Sequence, residues 1–108
     1  MIYELKKYIA HPGKAAVLQT RFADKTLPIF QRLGIELLHC WNPAEDKDAL
    51  YYLVGFPDNA ARENAWAAFG ADAEWLAIKA ESEREGPLLK AQSAVTLIPT
   101  RFSPNEGR

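Results

Sequence analysis

The sequence predicts an α+β protein of the ferredoxin-like βαββαβ class, with a four-stranded antiparallel sheet that carries its helices on one face. Three observations predict this class. The 108 residues suffice for one domain. Segments rich in β-branched and aromatic residues alternate with segments of helical period in that order. The second and third strand segments are joined by a short polar stretch, which favours a hairpin.

The first half of the chain predicts one strand followed by an interrupted helix. Residues 2–9 mix β-forming and charged side chains, which is typical of a strand. From Lys14 the apolar residues recur with the period of a helix. Pro28 lacks an amide donor and its ring crowds the preceding turn, so we expect a break or a kink near Leu27. A short second helix then ends at Gly34.

Three strands and two helices are predicted for the second half. The strands are residues 35–41, 50–56 and 93–99. Asp58 or Asn59 is placed to cap the first of the two helices, which ends at Gly70. Asp72 is placed to cap the second, which begins at Ala73. The side chains expected to be buried on these helices are Ala61, Ala65, Trp66, Phe69, Trp75 and Ile78.

Composition and charge exclude several classes of protein. With a formal net charge of −1 at pH 7, the chain has no excess of basic residues, so we expect no nucleic-acid partner. The apolar runs are far shorter than the roughly 20 residues that a membrane span needs. The single cysteine, Cys40, and the lack of a recognisable leader favour the cytoplasm. We expect one domain over residues 1–102 and a tail over residues 103–108.

The strand segments are apolar on both faces, and helices on one side of a sheet can cover only one of them. Strict alternation places Leu37, His39 and Trp41 on one face of the second strand. The opposite face also carries apolar residues, and the third and fourth strands show the same pattern. A second copy of the same sheet can cover an apolar face that no helix covers. The sequence therefore predicts a homodimer with sheet packed on sheet.

Several short segments, in their order and spacing, resemble the NIPSNAP family over nearly the whole chain. They are Ile2-Tyr3-Glu4-Leu5-Lys6-Lys7-Tyr8, Pro12-Gly13-Lys14, Asp58 with Arg62, Glu74-Trp75, and Leu97-Ile98-Pro99-Thr100-Arg101-Phe102-Ser103-Pro104. The resemblance implies a ferredoxin-like domain that pairs into a dimeric α+β barrel. It implies no settled biochemical activity, and the chain looks like a short, single-domain bacterial form of the family.

Three positions depart from the family pattern. The family tends to have an arginine at the position of Lys6, and a histidine and a tryptophan at the positions of Tyr52 and Val54. If those family residues carry a shared activity, this chain lacks that activity or performs it differently.

His39 and Tyr52 are the candidate catalytic residues. On an apolar strand face, His39 is either a general base that works near neutral pH or a structural histidine. Tyr52 is a polar group that can assist the removal of a proton from a substrate. The two histidines are far apart and no cysteine cluster accompanies them, so we expect no metal site. No cofactor is predicted, and haem is disfavoured because the predicted helices carry no histidine to serve as its axial ligand.

Glu4, Lys6, Trp66 and Trp75 are the candidate pocket residues. Large aromatic side chains with polar tips either line a small-molecule pocket or fill a core. Glu4 and Lys6 share one face of an inner strand, where a charge needs a partner or a wet cavity. They either pair with each other or with a neighbouring strand, or they line a polar pocket between the sheet and the helices.

Two functions remain open at this point. The first is a small-molecule-binding dimeric barrel, with cofactor-independent, monooxygenase-like chemistry by analogy with antibiotic-biosynthesis monooxygenases of similar fold. The second is a non-catalytic dimeric binding or protein-interaction module. An enzyme should enclose convergent polar groups around a cavity, whereas an interaction module would fill that space with Trp66 and Trp75.

Overall fold

Four strands and a set of helices follow one another in the predicted order in this computed structural model, which describes residues 1–104. The strands are β1 (Ile2–Ala10), β2 (Glu36–Trp41), β3 (Ala49–Phe56) and β4 (Leu89–Leu97). The helices are α1 (Ala15–Arg21), a π-helical segment (Phe22–Thr26), α2 (Leu27–Arg32), α3 (Asn59–Ala71) and α4 (Ala73–Ser82). The strands form one antiparallel sheet in the order β2-β3-β1-β4, which confirms the ferredoxin-like class.

The two inner strands, β1 and β3, turn their even-numbered side chains toward the helices. Tyr52 and Val54 on β3 are fully buried there, and they pair with Lys6 and Glu4 on β1. The rest of the main core comes from Phe22, Phe30, Ile35, Leu50 and Phe56. The core therefore lies between the sheet and the helices, and polar groups of β1 on this face are shielded from bulk water.

A β-bulge in β2 corrects the predicted faces of that strand. Leu37 pairs with Val54 and His39 pairs with Leu53, so the extra residue between them, Leu38, breaks the alternation. Leu37 consequently packs against the core, while His39 and Trp41 lie on the face that points away from the helices. Strict alternation, which placed all three on one face, was wrong because one inserted residue exchanges the two faces of a strand.

The helix after β1 changes its type at the predicted interruption and does not break. The residues between α1 and α2 form a π-helical turn, in which the amide of Leu27 donates to the carbonyl of Phe22, five residues earlier. Pro28 is then in the first turn of α2, and because it has no amide to donate to the preceding turn, the wider π-helical turn lies where an α-helical hydrogen bond is missing. Gly34 follows α2 with a positive φ of +76°, which ends the helix as expected.

Both later helices begin at the aspartates that the sequence indicates. The Asp58 side chain accepts a hydrogen bond from the amide of Ala61 at 2.8 Å, and the Asp72 side chain accepts one from Trp75 at 2.9 Å. No helix in the described part of the chain combines the length and the apolar character that crossing a membrane requires.

The last strand begins four residues earlier than predicted. It runs over Leu89–Leu97, not over residues 93–99, because β1 provides a pairing partner for its polar first half. The polar residues at positions 90 and 92 have low strand propensity, so the sequence did not predict a strand in this half. Of the predicted tail, residues 105–108 lie outside the described residues.

The sheet face away from the helices, here called the open face, is apolar and uncovered by the described part of the chain. Leu5 on β1 lies between Leu53 on β3 and Val95 on β4, which forms a continuous apolar row. Val95 is 54% exposed, and Trp41 at the β2 edge is 47% exposed. Side chains of this kind in one row are typical of a surface that meets a partner.

Candidate functional site

A cavity of about 470 Å³ lies between the sheet and the helices. It falls within the roughly 300–1,000 Å³ range of small-molecule sites. Its wall includes Lys6, Tyr8, Arg21, Phe22, Thr26, Trp66, Phe69, Trp75, Lys79 and Glu83. Strand β1, the π-helical segment and helices α1, α3 and α4 all contribute to this wall, so the cavity forms only when the whole domain has folded.

Glu4 is the buried anion that holds one wall together. Its Oε1 accepts hydrogen bonds from the indole Nε1 of Trp66 at 2.9 Å and from Arg62 at 3.2 Å. Its Oε2 lies 3.7 Å from the Nζ of Lys6. The carboxylate thus fixes two side chains of the cavity wall, Lys6 on β1 and Trp66 on α3, because both of them interact with its charge.

Lys6 faces the cavity over the ring of Trp66. Its Nζ lies 4.1 Å from the centre of that ring, which is a cation–π contact. Desolvation by burial lowers the pKa of Lys6, and the nearby Glu4 carboxylate partly opposes that shift. The ammonium group is therefore held at the cavity wall with a reduced preference for its charged form.

Tyr8 and Tyr52 form a hydrogen-bonded pair at the floor of the cavity. Their hydroxyl oxygens are 2.7 Å apart, and their rings meet edge to face at 5.2 Å. Tyr8 lines the cavity, whereas Tyr52 is fully buried behind it. Burial raises the pKa of both phenols, so both stay protonated at neutral pH and act as hydrogen-bond donors.

Arg21 ends α1 with its side chain buried against the cavity. Its Nη1 donates to the Oε2 of Glu83 at 2.8 Å and to the hydroxyl of Ser82 at 3.1 Å. The guanidinium carbon lies 5.0 Å from the ring centre of Trp75. Arg21 therefore joins α1 to the end of α4 and brings a second positive charge to the cavity.

Aromatic rings form the flat part of the wall. Trp75 stacks on Phe69 with a ring separation of 4.8 Å and an interplanar angle of 29°. Trp66 meets Phe69 edge to face at 6.1 Å and also contacts Phe30 and Phe56 in the core. The tryptophans line the cavity and leave it open, which favours a ligand with a flat apolar part.

A second depression, of about 600 Å³, lies between α1 and α4. It is a shallow groove along Val17, Ala77 and Ile78, and no aromatic side chain lines it among the described residues. Arg21 is shared by the two spaces, but its ion-pair partner Glu83 lines only the cavity between the sheet and the helices. That cavity is the candidate site because aromatic and charged groups converge on it.

The structure divides the candidate residues of the sequence into three groups. Lys6, Trp66 and Trp75 line the cavity, while Glu4 and Tyr52 support it from behind by hydrogen bonds. His39 does not reach it. It is exposed on the opposite side of the sheet, where it stacks on Trp41 at 5.4 Å.

The sequence analysis missed six polar residues of the cavity wall, which are Tyr8, Arg21, Thr26, Lys79, Glu83 and Gln92. Arg21 and Glu83 are 62 residues apart in the chain, and their pairing depends on how α1 meets α4. Tyr8 alone had a usable signal, because it shares the β1 face of Glu4 and Lys6.

Comparison with known proteins places these features in a family context. The family model named NIPSNAP matches residues 3–104. An uncharacterised NIPSNAP domain protein from Burkholderia xenovorans superposes with a TM-score of 0.82 at 24% identity, over 97% of this chain and 100% of that one. A NIPSNAP family protein from Agrobacterium tumefaciens gives 0.83 at 18% identity, over 96% and 97%.

More distant structural similarity extends to another class of protein. A putative antibiotic biosynthesis monooxygenase from Nitrosomonas europaea superposes with a TM-score of 0.66 at 8% identity, over 92% of this chain and 98% of that one. At this identity the likeness concerns the fold. No curated protein matches the sequence.

Proposed function

This chain belongs to the NIPSNAP family, and from that premise we propose that it binds a small organic molecule in the cavity between its sheet and its helices. The observation that carries the proposal is the open, mixed character of this cavity. Its volume is about 470 Å³, and aromatic rings and charged groups both face it. A module that only packed against another protein would gain stability by filling this space with Trp66 and Trp75.

We further propose that two copies pair through their open faces. The apolar row on the open face supports this arrangement, and so does the exposure of β4. Val95 and Leu97 on β4 lie on this face and are 54% and 41% exposed. Pairing two such faces removes this apolar surface from water in both copies at once.

The cytoplasm remains the proposed location, on the evidence of a single cysteine.

Monooxygenase-like turnover is the catalytic form of this proposal. A substrate with an activated CH₂ group would lose a proton and react with dioxygen, so that CH₂ and O₂ become C=O and H₂O. Lys6 faces the cavity with its ammonium group beside Glu4, so it would stabilise the negative charge that forms on the substrate, and the proton that leaves carbon ends in the water that is formed. Tyr8 lines the cavity and would donate a hydrogen bond to the developing oxyanion, while Tyr52 supports it from behind by donating to its hydroxyl oxygen. No cofactor is part of the proposal, and both histidines lie outside the helices.

Native mass spectrometry tests binding and pairing together. We expect a dimer that retains a small-molecule adduct, and we expect Trp75→Ala to lose the adduct while remaining dimeric. Leu76→Ala is the matched control, since the neighbouring Leu76 is 50% exposed on the same helix and does not line the cavity. An adduct that survives Trp75→Ala would place the ligand elsewhere. A monomer would contradict the pairing of the open faces.

A further inference from the structure

Arg21 has hydrogen-bonding capacity that the protein does not use. A guanidinium group carries five N–H donors in a planar fork. In this chain the side chain of Arg21 is only 6% exposed, and both of its hydrogen bonds are made by Nη1. Among residues 1–104, no group accepts from its Nε or Nη2. These donors are not sealed from solvent, since no buried side-chain nitrogen or oxygen in the described part of the chain lacks a partner. Arg21 lines the cavity, so the free edge of this fork is suited to an acceptor on a ligand.

The charge around the cavity favours an anionic acceptor. Lys6, Arg21 and Lys79 face the cavity, and Glu83 is the one carboxylate among the described residues of its wall. Glu4 behind the wall is already shared by Lys6 and Arg62. The wall therefore has an excess of positive charge, which raises the local concentration of anions.

Aromatic side chains of the cavity wall lie beside this anion site. The Arg21 guanidinium lies over the ring of Trp75, and Trp75 in turn stacks on Phe69. When Tyr52 donates its hydroxyl proton to Tyr8, the hydroxyl of Tyr8 is free to donate into the cavity. A donor, a cation and an aromatic face thus border the same space.

We propose that the ligand of this cavity is a planar aromatic carboxylate, whose acid group binds the free edge of Arg21 while its ring lies against Trp75 and Phe69. This assignment rests on the proposed small-molecule function and narrows its ligand class. A bidentate contact with a planar carboxylate matches the fork of an arginine, which a lysine cannot reproduce.

Isothermal titration calorimetry with naphthoate and with uncharged naphthalenemethanol tests this proposal. The two probes share a ring system and differ in charge. We expect naphthoate to bind at least about tenfold more tightly than the alcohol, because charge-assisted hydrogen bonds are worth about that much in affinity. Arg21→Lys should weaken naphthoate binding by a similar factor, and Arg84→Gln should leave it unchanged. Arg84 is the matched control because it is a surface arginine outside the cavity, with a side chain 74% exposed.

Lys79→Glu is a second variant that changes the charge of the cavity wall, and it tests the proposal if the Arg21→Lys protein does not fold. Lys79 is exposed at the cavity wall, so reversing its charge should weaken naphthoate binding without disturbing the core. Equal affinity for the acid and the alcohol would overturn the anionic ligand class and leave the small-molecule function standing. Binding of neither probe to the folded wild-type protein would overturn the aromatic carboxylate, whereas the small-molecule function is overturned only if native mass spectrometry also finds no adduct. Naphthoate binding that is indifferent to Arg21→Lys and Lys79→Glu would overturn the assignment to this cavity.

Discussion

Replacing Glu4 by glutamine tests whether one buried carboxylate holds the cavity wall. Glutamine keeps the shape and one carbonyl oxygen, so the hydrogen bond from Trp66 can persist. The charge that compensates Lys6 and Arg62 is lost, and their side chains are only 17% and 23% exposed. Hydrogen bonds to charged groups contribute roughly 1.5–3 kcal/mol. Because both cations retain some contact with water, we expect the free energy of unfolding to fall by about 2 kcal/mol.

Thermal unfolding measured by circular dichroism at fixed protein concentration is the assay. For a chain of this size, a loss of about 2 kcal/mol lowers the melting temperature by roughly 10 °C. Glu63→Gln is the matched control, since Glu63 is exposed on α3 and accepts a single hydrogen bond from Asn59. We expect that control to stay within about 0.5 kcal/mol of the wild type. Equal melting temperatures for the two variants would refute the role assigned to Glu4.

Two further predictions concern tyrosine ionisation and backbone conformation. Burial raises the pKa of Tyr8 and Tyr52 above the ordinary 10.0, so the stability that depends on their protonated form is present below about pH 10 and is lost above it. In an absorbance titration, ionisation of all four tyrosines while the fold persists would contradict this. Gly34→Ala should cost about 1 kcal/mol because φ is +76°. Gly70→Ala, at a helical position with open space around it, should instead raise the free energy of unfolding by about 0.5–1 kcal/mol, as measured by chemical denaturation.

The order of elements was predictable because each element carries its own local signal. Asp58 and Asp72 cap their helices as expected. Polarity does not show which face of the inner strands is buried, because Glu4 and Lys6 lie on the core face of β1 and β3 is apolar on both faces. The bulge at Leu38 was not predictable, since its neighbours are apolar on both sides and give no preference for either register. That single residue moved His39 away from the face where the cavity lies.

The candidate site was predictable only where its residues share one element. Glu4 and Lys6 lie two positions apart on β1, so strand geometry alone puts them on one face. Arg21 offered no such signal, because a basic residue near the end of a helix is ordinary on an exposed surface. Its burial arises from the meeting of α1 with α4 and from the ion pair with Glu83, which are properties of the folded chain.

The π-helical turn before Pro28 determines which deletions this chain can accept. Such a turn is an α-helix that carries one extra residue. Because the turn absorbs that residue within its own length, deleting one of residues 22–26 would return the segment to an ordinary α-helix and leave the faces of α2 almost unchanged. Ile29 and Phe30, each 1% exposed, would stay in the core. A homologue with a one-residue gap here therefore needs no compensating insertion before α2, so the length of this segment is free to differ between relatives that share the architecture.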